Sequence, residues 1–205
     1  MGTSCFLGEK SMLYFATLDY SSLCIDEANT IVLNAAASTH AHGSIEHAQM
    51  LKPADIPRFA KLGLTASIQP QHAMDDRDVI TRFWANPGGI PYAFKALHDA
   101  GVRLRMGSDA PVAPLDPWMA ISAAVFGTES SDREPFQPEQ CLDARTALAA
   151  STAVGRDRPE PGDPADLVLL DRDPYAVSTP EEMRAMPVAA TMLAGRWTYS
   201  SLHGE

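Results

Sequence analysis

This 205-residue chain predicts an α/β fold built on a parallel sheet, on three observations. Short apolar runs alternate with helical patterns between Ser44 and Ser108, as βα units require. Gly63 and Gly101 each separate a helical pattern from the apolar run that follows, the position of a helix stop. A hydrophobic content of 45% is ample for a packed core, in one large domain or two small ones.

The elements follow in order. The first 43 residues give the weakest pattern, and residues 31–37 fit either helix or strand. A strand is expected over 44–49, then a helix over 53–62 with Ile56, Phe59, Ala60 and Leu62 along one side. Residues 64–69 form a second strand, 91–100 a helix carrying Phe94, Leu97 and His98, 102–107 a third strand and 117–126 a further helix. Beyond that point the character shifts. Residues 138–150 read as one or two helices, and the proline- and charge-rich stretch 155–164 as a turn-rich linker. Residues 165–170 and 191–197 read as strands, with a short helix at 179–186 between them.

Composition removes several classes of function. A formal charge of −10 opposes a nucleic-acid partner, because phosphate binding needs a surplus of Lys and Arg. It equally opposes an anionic membrane surface. No run approaches the roughly 18 apolar residues of a membrane span, and Glu9 and Lys10 interrupt the apolar Cys5-Phe6-Leu7 far short of a signal-peptide core. Three cysteines without metal-type spacing fit a reducing, cytoplasmic setting. There is no Gly-x-Ser-x-Gly elbow, no phosphate-cradling glycine loop with lysine and no His-Glu-x-x-His helix.

The chemistry gathers where the strands end. His47, His72 and Asp109 fall at or just past the carboxyl ends of the three expected strands, the edge at which active sites of α/β sheets and barrels assemble. A neutral imidazole at His47 is a ligand for a divalent metal; the alternative is a hydrogen-bonded histidine in a buried strand. Asp109 in Gly107-Ser108-Asp109-Ala110-Pro111-Val112 can bind metal and accept a proton from water, although Ser-Asp before proline also suits a helix cap or an Asx-turn. His72 reads as a loop histidine, either exposed or touching substrate or another site residue. His40 and His42 form a His-x-His pair, but between Ser38-Thr39 and Gly43 they read as a loop, without the fixed geometry that joint ligation needs. Phe83, Trp84 and Trp118 offer themselves as pocket walls from loops around 75–91 and 111–118, with plain packing as the alternative. Strict alternation back from Asp109 gives Arg105 and Arg103 the same inward parity. Either Gly107 hosts a bulge that resets it, or that face stays wet.

Taken together, Ser44-Ile45-Glu46-His47-Ala48-Gln49, Ser67-Ile68-Gln69-Pro70-Gln71-His72 and Gly107-Ser108-Asp109-Ala110-Pro111-Val112 resemble the amidohydrolase superfamily, in the branch that includes N-substituted formamide deformylases. Pro161-Gly162-Asp163-Pro164-Ala165-Asp166-Leu167-Val168-Leu169-Leu170-Asp171 resembles the segment returning such chains to a small β-sandwich, and Ala194-Gly195-Arg196-Trp197 its last strand. The resemblance implies the late strands of a (β/α)8 TIM-type barrel with a C-terminal β-sandwich segment. It divides the chain into 1–43 with a remnant of a barrel unit, 44–154 with the last βα units and 155–205 as the cap.

It also implies His47 and Asp109 as ligands of a divalent metal, zinc by expectation, with Asp109 the general base; His72, from its own position, is expected as a substrate contact. The implied reaction is hydrolysis of a non-peptide C–N bond in a small amide-type substrate. Ser22 stands where a further ligand histidine is usual and Ser44 where an arginine is usual. A full barrel needs about 250 residues, so the chain is expected to be truncated. The alternative is a catalytically inactive remnant acting as a structural or oligomeric module, paired through an exposed sheet edge.

Overall fold

The computed structural model describes residues 6–7, 13–14, 25–83 and 88–202. Two short strands, β1 (Phe6–Leu7) and β2 (Leu13–Tyr14), pair antiparallel ahead of helix α1 (Ile25–Thr39). The stretch at 31–37 is therefore helical. Val32, Leu33 and Ala36 are buried while Ile31, Asn34 and Ala37 are exposed, a period of 3.6 and not of two.

Next comes the parallel sheet, β3 (Ser44–Glu46), β4 (Thr65–Ile68) and β5 (Arg103–Met106), hydrogen-bonded in the order β3-β4-β5. Helix α2 (Ile56–Leu62) connects β3 to β4, and α4 (Phe94–Asp99) leads into β5. Both expected glycine stops hold, with Gly63 at φ 66° and Gly101 at φ 77°, angles that carry a Cβ penalty for other residues. Ile45, Ala66 and Leu104 stand abreast in the ladder and are buried with Phe59 and Leu97. On the opposite face Ser44, Thr65 and Arg103 form one row and Glu46, Ser67 and Arg105 the next.

That second face is where the arginines lie, and it leaves neither of them a buried, unpaired charge. Arg103 is exposed, and Arg105, half-buried, donates from Nη1 to the Thr152 carbonyl at 3.1 Å.

One expectation needs correction. Residues 70–83, read as a loop around His72 and Asp75, form helix α3 (Pro70–Phe83). Proline at a first helical position loses nothing, since its missing N–H has no intrahelical partner there. Ala73, Met74 and Ile80 then bury one stripe of the helix.

Helix α5 (Pro117–Phe126) starts where Asp116 accepts from the Trp118 amide at 2.9 Å and stops at Gly127. It buries Trp118 and every residue from Ala120 to Ala124, as a helix apolar on all sides must. A 3-10 turn (Pro138–Gln140) and α6 (Ala144–Ser151) fill the expected one-or-two-helix stretch, and residues 155–164 carry neither helix nor strand.

The last segment is a three-stranded antiparallel sheet, β6 (Leu167–Leu170), β7 (Val188–Leu193) and β8 (Arg196–Ser200), with α7 (Pro180–Arg184) between β6 and β7. The single strand expected at 191–197 is thus two. Ala194 at φ 48° and Gly195 at φ 76° make the reversal, since two successive left-handed residues form the tight turn that matches strand twist. Ser122 Oγ donates to the Pro180 carbonyl at 3.1 Å and ties α7 to α5. Among the described residues no helix is long and apolar enough to cross a membrane.

Candidate metal centre

The chain turns sharply as β3 ends. His47, Ala48 and Met50 all have positive φ, at 67°, 46° and 49°, a conformation that costs a non-glycine residue roughly 1–2 kcal/mol. Strain of this kind persists only where surroundings impose it, and here they do. Asn29 Nδ2 donates to the Gln49 carbonyl at 2.8 Å. Gln49 Nε2 donates to the Tyr92 hydroxyl, which donates in turn to Asp76 on α3. Leu51, fully buried, exchanges both backbone hydrogen bonds with Ile90 at 3.0 and 2.7 Å. The outcome is a buried His47 side chain at the carboxyl edge of the sheet.

His72 reaches the same edge from the first turn of α3. Its amide donates to the Gln69 carbonyl at 3.0 Å, and the preceding Gln71 donates from Nε2 to Glu129 Oε1 at 2.8 Å. The histidine expected in a loop is therefore helical and buried, exposed by only 6%.

Asp109 follows β5. The Gly107 amide extends the ladder by one bond to the Ile68 carbonyl at 3.1 Å, and Asp109 then turns to φ 54°. Its side chain is 35% exposed. Among the described residues no amide donates to its carboxylate, so neither the helix cap nor the Asx-turn expected as its alternative role is present; Asp116 caps the next helix instead.

These three side chains converge. His47 Nε2 lies 3.8 Å from Asp109 Oδ2. The rings of His47 and His72 stand 5.6 Å apart at 19°. One donor atom from each of His47, His72 and Asp109 lies within 4.8 Å of the other two. His47 Nδ1 and His72 Nε2 are buried without a hydrogen-bond partner, unusual for buried polar atoms and in need of a reason. Burial pushes the His47 imidazole below its ordinary pKa and His72 adds to that, against the opposing pull of Asp109 and Glu46. A neutral imidazole keeps the lone pair that a cation needs. Two imidazoles and a carboxylate, partly open to solvent, are a donor set that fits a divalent cation.

The other sequence candidates stand apart. His40 and His42 are exposed near the start of β3, at its opposite end from His47. Trp118 is core packing, Phe83 is exposed at the far end of α3 from His72, and Trp84 and Ser22 lie outside the described residues. What the sequence reading missed is the support, Asn29, Gln49, Asp76 and Tyr92. No periodicity or spacing links those four positions.

A parallel sheet bearing a His-His-Asp cluster at its carboxyl edge defines a class: an α/β protein with a candidate metal centre. More narrowly, the chain belongs to the amidohydrolase family, whose profile it matches over residues 16–199. It is 29% identical over 192 residues to the protein LONG AFTER FAR-RED 3 of Arabidopsis thaliana, covering 85% of this chain and 33% of that one. It is likewise 29% identical over 167 residues to the N-substituted formamide deformylase of Arthrobacter pascens, covering 76% and 30%. An uncharacterized metal-dependent hydrolase from Pyrococcus horikoshii OT3 superposes with a TM-score of 0.60 at 26% identity, over 74% of this chain and 33% of that chain. The chain spans about a third of the length of the curated relatives it matches.

Proposed function

We propose that this chain carries the late strands of a (β/α)8 barrel, in 44–154, and a C-terminal β-sandwich segment, in 155–205, and acts in a metal-dependent hydrolase. The substrate class is a small molecule with a non-peptide C–N bond, in the cytoplasm. The observation that carries this reading is the meeting of His47 and Asp109 at one sheet edge from two different strands, 3.8 Å apart.

In this reading His47 and Asp109 hold a divalent metal, zinc by the preference of that ion for imidazole and carboxylate donors. A metal held by these residues would supply Lewis-acid polarisation of a carbonyl and a bound water of lowered pKa. His47, buried and biased to its neutral form, offers a lone pair at neutral pH. The strained backbone at residues 47–50 fixes the direction of that lone pair before anything binds, so little ordering remains to be done. Asp109, with a third of its side chain open, can be reached from solvent. It takes the proton of the attacking water and delivers it to the departing nitrogen.

The net charge of −10 keeps nucleic acid out of the list of partners. A second reading is an inactive module that assembles through a sheet edge; it is favoured by β3 and β5 each having one side without a hydrogen-bonded strand among the described residues. Elemental analysis of the purified chain separates the two. Stoichiometric metal in the wild type, lost in His47→Ala and in Asp109→Ala, supports the hydrolase. A metal-free wild type with a cooperative melt supports the module.

A further inference from the structure

We propose that His72 is the third protein ligand of this metal, and not a substrate contact, so that the ion clips helix α3 to the sheet. The inference rests on the reading of His47 and Asp109 given above.

The geometry points there in three ways. First, because the three donors lie within 4.8 Å of one another, some point is no more than about 2.8 Å from all three. Each ligand therefore moves by under about 1 Å to reach metal bonds of about 2.0–2.2 Å. Second, the His47 and His72 rings are neighbours, with centroids 5.6 Å apart and planes at 19°, so a small rotation of one ring is what joint ligation asks for. Third, His72 Nε2 is buried with no partner. A metal bond would give that buried nitrogen the partner it lacks.

Placement on the first turn of α3 gives the ligand a mechanical consequence. His47 and Asp109 come from the ends of strands, but His72 comes from a helix held by Gln71 to Glu129 and by Asp76 to Tyr92. Binding a cation across those elements ties α3 to β3 and β5 at one point, and α3 gains stability by mass action.

The test uses the whole chain, Zn²⁺ alone and no substrate. X-ray absorption at the zinc edge counts coordinated imidazoles in the wild type and in His72→Gln. Two in the wild type and one in His72→Gln is the expected result, with zinc affinity in the variant falling by more than the roughly 10–100-fold typical of residues that only orient a ligand. Hydrogen exchange at the start of α3 should slow when zinc is added to the wild type and not to His72→Gln. A single imidazole in a wild type that still binds zinc through His47 and Asp109 overturns the inference alone. A wild type that binds no zinc overturns the underlying reading with it. His72→Ala with a native melt in the absence of metal guards against a folding defect.

Discussion

The imidazoles of His47 and His72 stack in the core with centroids 5.6 Å apart and planes 19° from parallel, and each keeps one buried nitrogen without a partner. A buried polar atom left unpaired costs about 1–3 kcal/mol. The cluster is therefore a place where burial is not matched by hydrogen bonding. Replacing His72 by leucine removes one orphaned nitrogen at similar volume, so the metal-free protein should hold its stability or gain on the order of 1 kcal/mol. Urea denaturation without metal measures it, and a loss above about 2 kcal/mol in His72→Leu would show that the ring has a structural partner.

Tyr92 receives from Gln49 and donates to Asp76, bridging the loop that presents His47 and the helix that presents His72. Tyr92→Phe keeps the ring and its edge contact with Phe94, 5.8 Å away, and deletes only the hydroxyl. A cost of about 1.5–3 kcal/mol is expected, the scale of a hydrogen bond to a charged group. The loss should be local as well as global: amide exchange across residues 47–51 should quicken more than in α5. A uniform change would argue against the bridging role.

Two helix-ending glycines make a controlled comparison. Gly63 and Gly127 have nearly the same φ, 66° and 63°, but a Cβ at Gly63 would meet open space while one at Gly127 would lie 2.9 Å from both Cys141 Sγ and the Phe136 carbonyl. Gly63→Ala should cost only the left-handed penalty of about 1–2 kcal/mol. Gly127→Ala adds an overlap with backbone and should exceed it by about 1–3 kcal/mol. Paired thermal melts decide the order.

Asp143 begins α6 as its N-cap, accepting from the Thr146 amide at 2.9 Å and the Thr146 hydroxyl at 2.8 Å. Partial burial raises its pKa, but those hydrogen bonds outweigh it and hold the carboxyl below its ordinary value of 3.8. Between the folded value and 3.8 the unfolded chain binds more protons than the native one, so stability rises with pH there. The contribution of this cap is complete above 3.8 and is lost as pH falls through the folded value. Asp143→Ala should cost about 0.5–2 kcal/mol at pH 7, and the gap between variant and wild type should narrow in acid. A gap independent of pH would mean that the carboxylate charge plays no part.

Much of this arrangement is legible in the residues. Alternating apolar runs give the three parallel strands, Gly63 and Gly101 mark the helix stops, and His47, His72 and Asp109 stand out as polar groups at strand ends. These features are local, each specified within a few positions by side-chain period or by one backbone angle. Helix α3 was not legible in this way, because proline opening a helix and proline opening a loop look alike until the buried stripe of Ala73, Met74 and Ile80 meets its neighbours. The hairpin at Ala194-Gly195 was missed for a similar reason, since a run of apolar and β-branched residues does not show where it folds back.

Only the tertiary structure decided how the three site residues relate to one another. Their sequence positions carry no distance. The distance comes from the parallel register that aligns Ile45, Ala66 and Leu104, from the strained turn at His47 and from the axis of α3. The sequence by itself determined which chemistry the chain carries, an imidazole pair and a carboxylate at the ends of strands. The packing of the strands and α3 brought those groups within 4.8 Å of one another, because contacts between elements far apart in the chain are made only when a shared core closes around them.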